Sequence, residues 1–221
     1  MGDIVIGASG GLGAAFVRLL GPGTLALSRR STPALDLLDE ASIAAAATWV
    51  AAQGELELII DATGFLHGGG FMPEKTLAAV TPAHLAHAFA VNAIGPALLM
   101  KHFLPLLPCA RRAVFVSLSA KVGSIGDNRA GGWYSYRASK AALNQLIHTA
   151  AIELARTKPQ AICIAMHPGT VDTPLSAPFA KSGLAVRAPE QAAAEMLAVI
   201  DQLGPDATGR FWSYDGSELP W

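Results

Sequence analysis

Short apolar runs alternate with longer alanine-rich segments along the chain, and this alternation limits the folds that it can adopt. The apolar runs predict strands near 3–7, 24–28, 34–36, 56–61, 112–118, 160–166 and 209–214. The segments between them have helical periodicity and predict helices near 11–20, 40–52, 81–107, 134–157 and 189–203. Alternation of this kind is typical of repeated βαβ units. The sequence therefore predicts an α/β fold, a doubly wound parallel sheet of about seven strands with helices on both faces.

The chain has 221 residues, and no stretch rich in glycine, serine or charge divides it. We therefore expect a single domain over residues 1–221. The connection from Arg29 to Ala34 is too short for the helix that normally joins parallel strands, so it is expected to be a bare loop. The longest loops, 64–80 and 168–188, are expected to form the walls or lids of a site.

Composition argues against several classes of partner. The 16 lysine and arginine residues balance 17 aspartate and glutamate residues, so no net charge favours nucleic acid or an anionic membrane. The N-terminus shows no export or anchor motif, and polar residues interrupt the apolar stretch 83–107, so we expect a cytoplasmic protein without a membrane span.

Hydrophobic residues reach 52% against 15% charged residues, which favours a homo-oligomer, a dimer or a tetramer. Cys109 and Cys163 are expected to be reduced thiols.

A glycine-rich turn follows the first predicted strand, where the strand passes into a helix. The stretch Gly7-Ala-Ser-Gly-Gly-Leu-Gly13 has glycines at 7, 11 and 13. Glycine lets backbone N–H groups approach a diphosphate at the positive end of a helix. The spacing differs from the Gly-x-Gly-x-x-Gly fingerprint, so a flexible turn is the alternative. Its position favours a Rossmann-type dinucleotide site that contains Gly7, Ser9, Gly11, Leu12 and Gly13.

The ends of the next strands carry residues suited to the adenosine half of a dinucleotide. Arg29-Arg30 follows the second strand, where NAD-binding proteins place a carboxylate on the ribose, and arginine there suits a 2′-phosphate. This favours NADP(H), with NAD(H) possible and solvated surface arginines as the alternative. Asp36 is a candidate acceptor for the adenine amino group, or a turn residue before the next helix. Asp61 is expected to tie neighbouring strands together, and the residues after it that suit a ribose are Ala62, Thr63 and Gly64.

Tyr136 and Lys140 are the strongest candidates for chemistry. They are four residues apart in a predicted helix and so lie on one face of it. A phenol has a pKa of about 10, and a neighbouring ammonium lowers that pKa by favouring the phenolate. The pair therefore predicts a general acid/base, Tyr136, tuned by Lys140, which can also bind ribose hydroxyls. A chance tyrosine and lysine at this spacing is the alternative.

The order of these motifs resembles the short-chain dehydrogenase/reductase family over nearly the whole chain. In that family a Gly-x3-Gly-x-Gly turn, an Asn-Asn-Ala-Gly stretch, a helical asparagine, a serine after a strand, Tyr-x3-Lys and a Pro-Gly loop follow one another. The matching positions here are Gly7, Gly11 and Gly13, then 61–64, Asn92, 117–119, Tyr136 and Lys140, and Pro168-Gly169. The stretches 122–128 and 132–136 are similar to the C-factor and sniffer-type carbonyl reductase branch.

The resemblance implies an NADP(H)-dependent oxidoreductase that passes a hydride between nicotinamide and a small carbonyl or alcohol substrate, with Tyr136 as general acid/base. It also implies a serine that polarises the carbonyl oxygen. An ungapped match places Ala120 there, so Ser119 is the candidate and Ser124 the reserve. Two alternatives stay open: an NAD-linked alcohol dehydrogenase, and a dinucleotide-binding regulatory module with little turnover.

Asn92 supports a prediction that does not depend on the family. Pro96, four residues later, has no N–H to donate to the Asn92 carbonyl, so the helix is expected to kink there. A carbonyl freed in this way can hold a water. The resemblance implies that such a water connects the lysine to bulk solvent, which adds Asn92 to the catalytic candidates.

The loop after the strand at 160–166 is expected to hold the nicotinamide. Its candidate residues are Pro168, Gly169, the backbone of Val171 and the hydroxyl of Thr173. Residues 174–188 resemble the mobile substrate loop of the family. His84 and His87 are three residues apart, but no cluster of carboxylates or cysteines accompanies them. We therefore predict no metal site.

Overall fold

The computed structural model describes residues 2–179 and 186–221. Its strands are β1 (Gly2–Ile6), β2 (Leu25–Leu27), β3 (Leu56–Asp61), β4 (Ala113–Leu118), β5 (Ala161–His167), β6 (Thr170–Val171), β7 (Val186–Arg187) and β8 (Phe211–Ser213). Six of them form one parallel sheet in the order β2-β1-β3-β4-β5-β8. The short strands β6 and β7 pair with each other separately.

Helices pack on both faces of this sheet, as predicted. They are α1 (Gly11–Leu20), α2 (Glu40–Ala51), α3 (Pro82–Phe89), α4 (Gly95–Phe103), α5 (Tyr134–Thr157) and α6 (Pro189–Gln202). Successive side chains of a strand point to opposite faces. Val5 of β1 therefore joins the core under α1 and α6, while Ile4 and Ile6 join the core under α2, α4 and α5. Burial on both faces explains why the central strands are almost continuously apolar.

The predicted strand at 34–36 is wrong. β2 has only three residues, and the chain turns immediately after it, since the Ser31 N–H and hydroxyl donate to the Ser28 carbonyl. The Leu35 N–H donates to the same carbonyl at 2.9 Å, which attaches the segment to the end of β2 without forming a ladder. The connection is a bare loop, as expected, and the sheet has six strands instead of about seven.

The single helix predicted over 81–107 is interrupted. A π-helical turn, Ala90–Ile94, separates α3 from α4, and a 3-10 turn, Leu104–Leu106, follows α4. The π-helical turn contains Asn92, where the sequence predicts a kink, and the Gly95 N–H donates to the carbonyl of Ala90, five residues back. An 18-residue window within Pro82–Leu106 has a mean hydropathy of 1.3, and by length and composition alone this segment could cross a membrane, contrary to our expectation. Its α4 part nevertheless packs in the core through Leu99 and Phe103.

The order of the strands places a crevice at the carboxyl ends of the central strands. From β1 the chain passes to β2 on one side, and then to β3 on the other side of β1. Ligands of open α/β sheets bind outside the carboxyl ends of the strands where the order reverses in this way. The loops that follow β1, β3, β4 and β5 all begin at these carboxyl ends and supply the residues described next.

Candidate functional site

The turn between β1 and α1 forms the floor of the crevice. Gly7 has a φ of +81°, and its carbonyl accepts a hydrogen bond from the Gly10 N–H at 2.9 Å. A Cβ on Gly13 would lie 2.2 Å from the Gly7 carbonyl oxygen, so α1 can approach the turn only with glycine there. Gly10 gives α1 no side-chain cap, and the first turn of α1 has no acidic residue. The positive end of α1 is therefore available to an anion.

Two cavities meet at this turn and share Ser9, Gly10, Ala62, Thr63 and Gly64. The first, of about 330 Å³, extends to Arg29 and Asp36, and we call it the adenosine-side cavity. The second, of about 450 Å³, extends to Ser119, Tyr136 and Lys140 and includes Gly11 and Leu12. Two adjoining cavities with a helix N-terminus between them can hold a dinucleotide with its diphosphate in the middle.

Arg29 and Arg30 are both exposed at the end of the adenosine-side cavity, but only Arg29 lines it. Neither forms an ion pair within residues 2–179 and 186–221. Asp36 lines the same cavity from the loop after β2, and its carboxylate accepts a hydrogen bond from the Leu38 N–H at 3.0 Å. The structure thus brings a cation and an acceptor to the position where the sequence predicted adenosine contacts.

Asp61 is buried beneath the crevice and ties two strands together, as expected. Its carboxylate accepts hydrogen bonds from the Thr63 N–H at 3.0 Å and hydroxyl at 2.5 Å, and from the Ser117 hydroxyl of β4 at 2.6 Å. Burial raises the pKa of Asp61, and these hydrogen bonds and the charge of Lys140 oppose that rise. These contacts hold the loop 62–64 in place as the wall shared by the two cavities.

Lys140 lies behind this wall. It is 3% exposed, and its ammonium donates to the Leu118 carbonyl at 2.8 Å. A Cβ on Gly64 would lie 3.6 Å from Lys140 Nζ, so the small residue keeps the ammonium accessible from the cavity. Burial lowers the pKa of Lys140 to about 8, with Asp61 acting in the opposite direction. Lys140 is therefore mainly charged at neutral pH.

Tyr136 is partly exposed and lines the same cavity as Lys140. Within the described ranges its hydroxyl has no hydrogen-bond partner, so it is free to bond a ligand. Burial raises the pKa of Tyr136 well above its ordinary value. This is opposite to the direction expected from Lys140, because the ammonium is bonded to Leu118 while the phenol is desolvated. The structure brings the pair to one cavity without showing the predicted tuning.

Ser119 lines the cavity, but its hydroxyl is already engaged. It is 4% exposed and donates to Oδ1 of Asn144 at 2.6 Å. Asn144 Nδ2 is buried, and in the part of the chain that the structure describes it has no hydrogen-bond partner. Ser124, the reserve, donates to the carbonyl of Trp221 at 3.2 Å and lines none of the three cavities at the crevice. Ala120, where the family match places the catalytic serine, lines a third cavity beside Tyr136 but has no hydroxyl.

Asn92 braces the loop after β3 from behind. Its amide donates to the Phe65 carbonyl at 2.8 Å and to the Ser139 hydroxyl at 3.0 Å, while its Oδ1 accepts from the Phe65 N–H at 2.7 Å. The side chain of Asn92 therefore joins the π-helical turn to α5 and to the loop 62–65. The use of its main-chain carbonyl for a proton relay stays a prediction.

A third cavity, of about 310 Å³, lies beside Tyr136, and we call it the substrate-side cavity. Its lining is mainly apolar and aromatic and includes Leu66, Val122, Trp133 and Phe179. The predicted nicotinamide residues line it as well: Pro168, Gly169, Val171 and Thr173. Thr173 touches the start of α1, since a Cβ on Gly11 would lie 2.8 Å from its methyl group. Of the predicted mobile loop 174–188, residues 180–185 lie outside the described residues.

His167 is a neutral group in the wall of the substrate-side cavity. Its Nδ1 accepts a hydrogen bond from the Lys121 N–H at 3.3 Å, so its proton is on Nε2. Burial, helped by the charge of Lys121, lowers the pKa of His167 to about 4.

Comparison with known proteins gives the family of the chain. A family model described as enoyl-(acyl carrier protein) reductase matches residues 25–204. The chain is 36% identical over 140 residues to the C-signal protein of Myxococcus xanthus, covering 63% of this chain and 80% of that protein. It is 32% identical over 189 residues to 1-hydroxy-2-glutathionyl-2-methyl-3-butene dehydrogenase of a Rhodococcus species, covering 86% and 79%. The chain belongs to the short-chain dehydrogenase/reductase family.

Solved structures agree with this assignment. The structure of this short-chain dehydrogenase/reductase matches that of NADPH-bound carbonyl reductase from chicken fatty liver with a TM-score of 0.86 at 26% identity. The match covers 100% of this chain and 98% of the chicken protein. Carbonyl reductase Sniffer of Drosophila melanogaster has a TM-score of 0.85 at 24% identity, with 100% of both chains covered, which supports the fold. The predicted resemblance to the family is confirmed, and the protein is an oxidoreductase of this family.

Several residues at the site of this short-chain dehydrogenase/reductase were not predicted from the sequence. Trp133 and His167 line the substrate-side cavity, and Glu74 and Ser135 form a buried pair next to it. Asn144 could have been found, because it lies one helical turn after Lys140 on the same face of α5. Glu74 could not, because its partners come from distant parts of the chain.

Proposed function

We propose that this protein is an NADP(H)-dependent oxidoreductase that passes a hydride between the nicotinamide and a small carbonyl or alcohol substrate. The observation that carries the proposal is the meeting of Tyr136 and Lys140 with the glycine turn of α1 in one cavity. Arg29 beside the adenosine-side cavity supports the phosphorylated cofactor. The chicken relative, whose structure is described as NADPH-bound, supports it as well.

The residues present fit such a cofactor. The close approach of α1 at Gly13 and the uncapped helix start provide a cradle for a diphosphate. Arg29 would hold the 2′-phosphate, and Asp36 would accept from the adenine amino group. The wall formed by Ala62, Thr63 and Gly64 leaves room for a ribose, whose hydroxyls Lys140 would bind. The loop residues proposed to hold the nicotinamide are Pro168, Gly169, Val171 and Thr173.

In the direction of reduction, Tyr136 donates its phenolic proton to the carbonyl oxygen while the carbonyl carbon accepts a hydride, which NADPH supplies when bound. The raised pKa keeps Tyr136 protonated at neutral pH, so it is ready to act as an acid. Lys140, charged below about pH 8, stabilises the phenolate that forms. Water held at the Asn92 carbonyl would return a proton from bulk solvent through Lys140.

Ser119 is the proposed group that polarises the carbonyl oxygen, and its engagement with Asn144 sets a condition on this role. Amide nitrogen and oxygen can exchange places by a rotation of the side chain. When Asn144 Nδ2 donates to Ser119, the serine hydroxyl is free to donate to substrate, and the orphaned amide gains a partner. This arrangement supplies the stabilisation of developing negative charge that carbonyl reduction requires.

The proposal is tested by the consumption of NADPH with a panel of ketones and aldehydes. Tyr136→Phe should lower kcat by at least about 100-fold, because a positioned proton donor contributes this much or more, while NADPH affinity stays unchanged. Tyr134→Phe is the matched control, since Tyr134 begins the same helix but is 37% exposed. Full activity in Tyr136→Phe would exclude the proposed role of the phenol.

A regulatory module that binds the dinucleotide with little turnover is the second candidate. It is favoured by Ala120 and by the bond that occupies the Ser119 hydroxyl, and the similarity to C-signal is compatible with it. This candidate predicts tight NADPH binding without NADPH consumption by any carbonyl in the panel.

We also propose a cytoplasmic homo-oligomer, a dimer or a tetramer. Leu146 on α5 is 36% exposed, and it lines a groove of about 700 Å³ that runs between α4 and α5. A second copy covering this face would remove its apolar side chains from water. Light scattering of the purified protein should give a dimer or tetramer mass, and a monomer would contradict the proposal.

A further inference from the structure

Glu74 is a buried carboxylate that the proposed chemistry does not use. It belongs to the loop between β3 and α3 and is only 3% exposed, so its charge needs partners. It accepts hydrogen bonds from the Ser135 N–H at 3.2 Å and from the Ser135 hydroxyl, and lies 3.0 Å from Nδ1 of His84. Burial raises the pKa of Glu74, but the hydrogen bonds from Ser135, a backbone hydrogen bond within Glu74 and the nearby His84 together outweigh this effect, so the pKa is lowered.

These contacts lie at the first turn of α5. The residue before the helix, Trp133, gives no side-chain cap, and the first turn contains no acidic residue. The Ser135 N–H is one of the donors that a helix start leaves without an intrahelical acceptor. Glu74 supplies this acceptor from 61 residues away and places a negative charge at the positive end of the helix.

The backbone of Glu74 also holds Trp133, the residue just before α5. The Trp133 N–H donates to the Glu74 carbonyl at 2.5 Å. Trp133 has a φ of 54°, and within the described ranges it is the only residue other than glycine with a positive φ. Such a conformation is unfavourable for a residue with a side chain and persists only where the surroundings enforce it. The Glu74 contact is one of these surroundings.

Two residues close to Ser135 in the chain line the substrate-side cavity: Trp133, just before the helix, and Tyr136, directly after Ser135. The Trp133 ring packs edge-on against Tyr136, with centroids 6.1 Å apart, and against Phe179, with centroids 5.1 Å apart. Tyr136 directly follows Ser135, so a tilt of the first turn displaces the phenol. Geometry at the reacting atoms is sensitive to displacements of about 1 Å.

We propose that Glu74 is a positioning residue, which clamps the start of α5 and thereby directs Tyr136 and Trp133 into the substrate-side cavity. The effect on turnover rests on the proposed function. His84 completes the clamp from α3, since its ring stacks on Phe71 with centroids 4.9 Å apart and an interplanar angle of 7°. The clamp therefore joins the loop before α3, α3 itself and the start of α5.

Kinetics of Glu74→Ala and Glu74→Gln test the clamp. We expect Glu74→Ala to lower kcat by about 100-fold with NADPH affinity within about twofold, because Glu74 touches neither cavity of the proposed cofactor site. Glu74→Gln keeps one acceptor oxygen and should restore part of the loss. Glu190→Gln is the matched control, as Glu190 is an exposed first-turn glutamate of α6 paired with Arg18. Unchanged kcat in Glu74→Ala, or a loss shared equally by kcat and NADPH affinity, would overturn the clamp.

Quenching of tryptophan fluorescence by acrylamide tests the clamp without turnover. Trp133→Phe, alone and combined with Glu74→Ala, identifies the emission that belongs to Trp133. We expect Glu74→Ala to make Trp133 more accessible to acrylamide, with the circular dichroism spectrum unchanged, and equal accessibility would overturn the clamp. If the natural protein consumes no NADPH with any carbonyl, the proposed function fails, while this measurement still decides the position of Trp133.

Discussion

Replacing Arg29 by aspartate should reverse the preference for NADPH over NADH that we propose for the site. Arg29 lines the adenosine-side cavity, and in the described chain no carboxylate competes for its guanidinium. A hydrogen bond to a charged group contributes about 1.5–3 kcal/mol, so its loss weakens NADPH binding about 10- to 150-fold. The new carboxylate also repels the 2′-phosphate, but it can accept a bond from the unmodified ribose of NADH. NADH affinity should therefore hold or improve.

Calorimetric titration of both dinucleotides at one salt concentration measures this change. Arg30→Asp is the matched control, because Arg30 is adjacent and exposed but does not line the cavity. It makes the same change in net charge without removing a contact, so it should weaken NADPH by less than about fivefold. The reasoning is refuted if both variants lose NADPH affinity equally, or if Arg29→Asp loses NADH affinity as well.

Three further outcomes are expected. Ala120→Ser should raise kcat by about tenfold, because it adds a hydroxyl beside the substrate-side cavity where a single well-placed donor can be worth more than that; an unchanged or lower kcat would show that Ser119 already serves. Unfolded Lys140 keeps its proton up to about pH 10.5, whereas the folded pKa is about 8. The unfolded state thus binds more protons in this window, and the free energy of unfolding relative to Lys140→Met should rise by up to about 3 kcal/mol between these pH values; urea titrations giving a flat difference would contradict this. Asp61→Ala leaves the donors of Thr63 and Ser117 without an acceptor and should lower the free energy of unfolding by about 2–4 kcal/mol, measured in urea against Asp39→Ala at the exposed cap of α2.

The central elements were predictable because each is long, apolar and locally consistent. The helices at 11–20 and 134–157 and the strand at 56–61 have the predicted bounds. The strand predicted at 34–36 is absent because three residues, two of them apolar, do not determine whether a neighbouring strand is present to pair with. Only the three-dimensional path of the chain shows that the Leu35 N–H donates to the Ser28 carbonyl after β2, and that the segment does not continue the sheet.

The site could be predicted where chemistry and position along the chain coincide. The glycine turn, Tyr136 and Lys140 each have a local spacing with a physical meaning, and the structure brings them to one cavity. Interactions between distant residues were not predictable. The bond from Ser119 to Asn144 and the contacts of Glu74 with α5 depend on how helices meet, which spacing does not encode.

The position of β2 as the outermost strand, without the strand predicted beyond it, has a consequence for solubility. Both outermost strands of the main sheet, β2 and β8, have three residues each, whereas the inner strands have five to seven. An edge exposes unpaired N–H and C=O groups, and a long edge can recruit the edge of another molecule. In a chain with only 15% charged residues, short edges leave little template for such stacking. The bare loop after β2 thus leaves only a three-residue strand at that side of the sheet, while it shapes one end of the crevice.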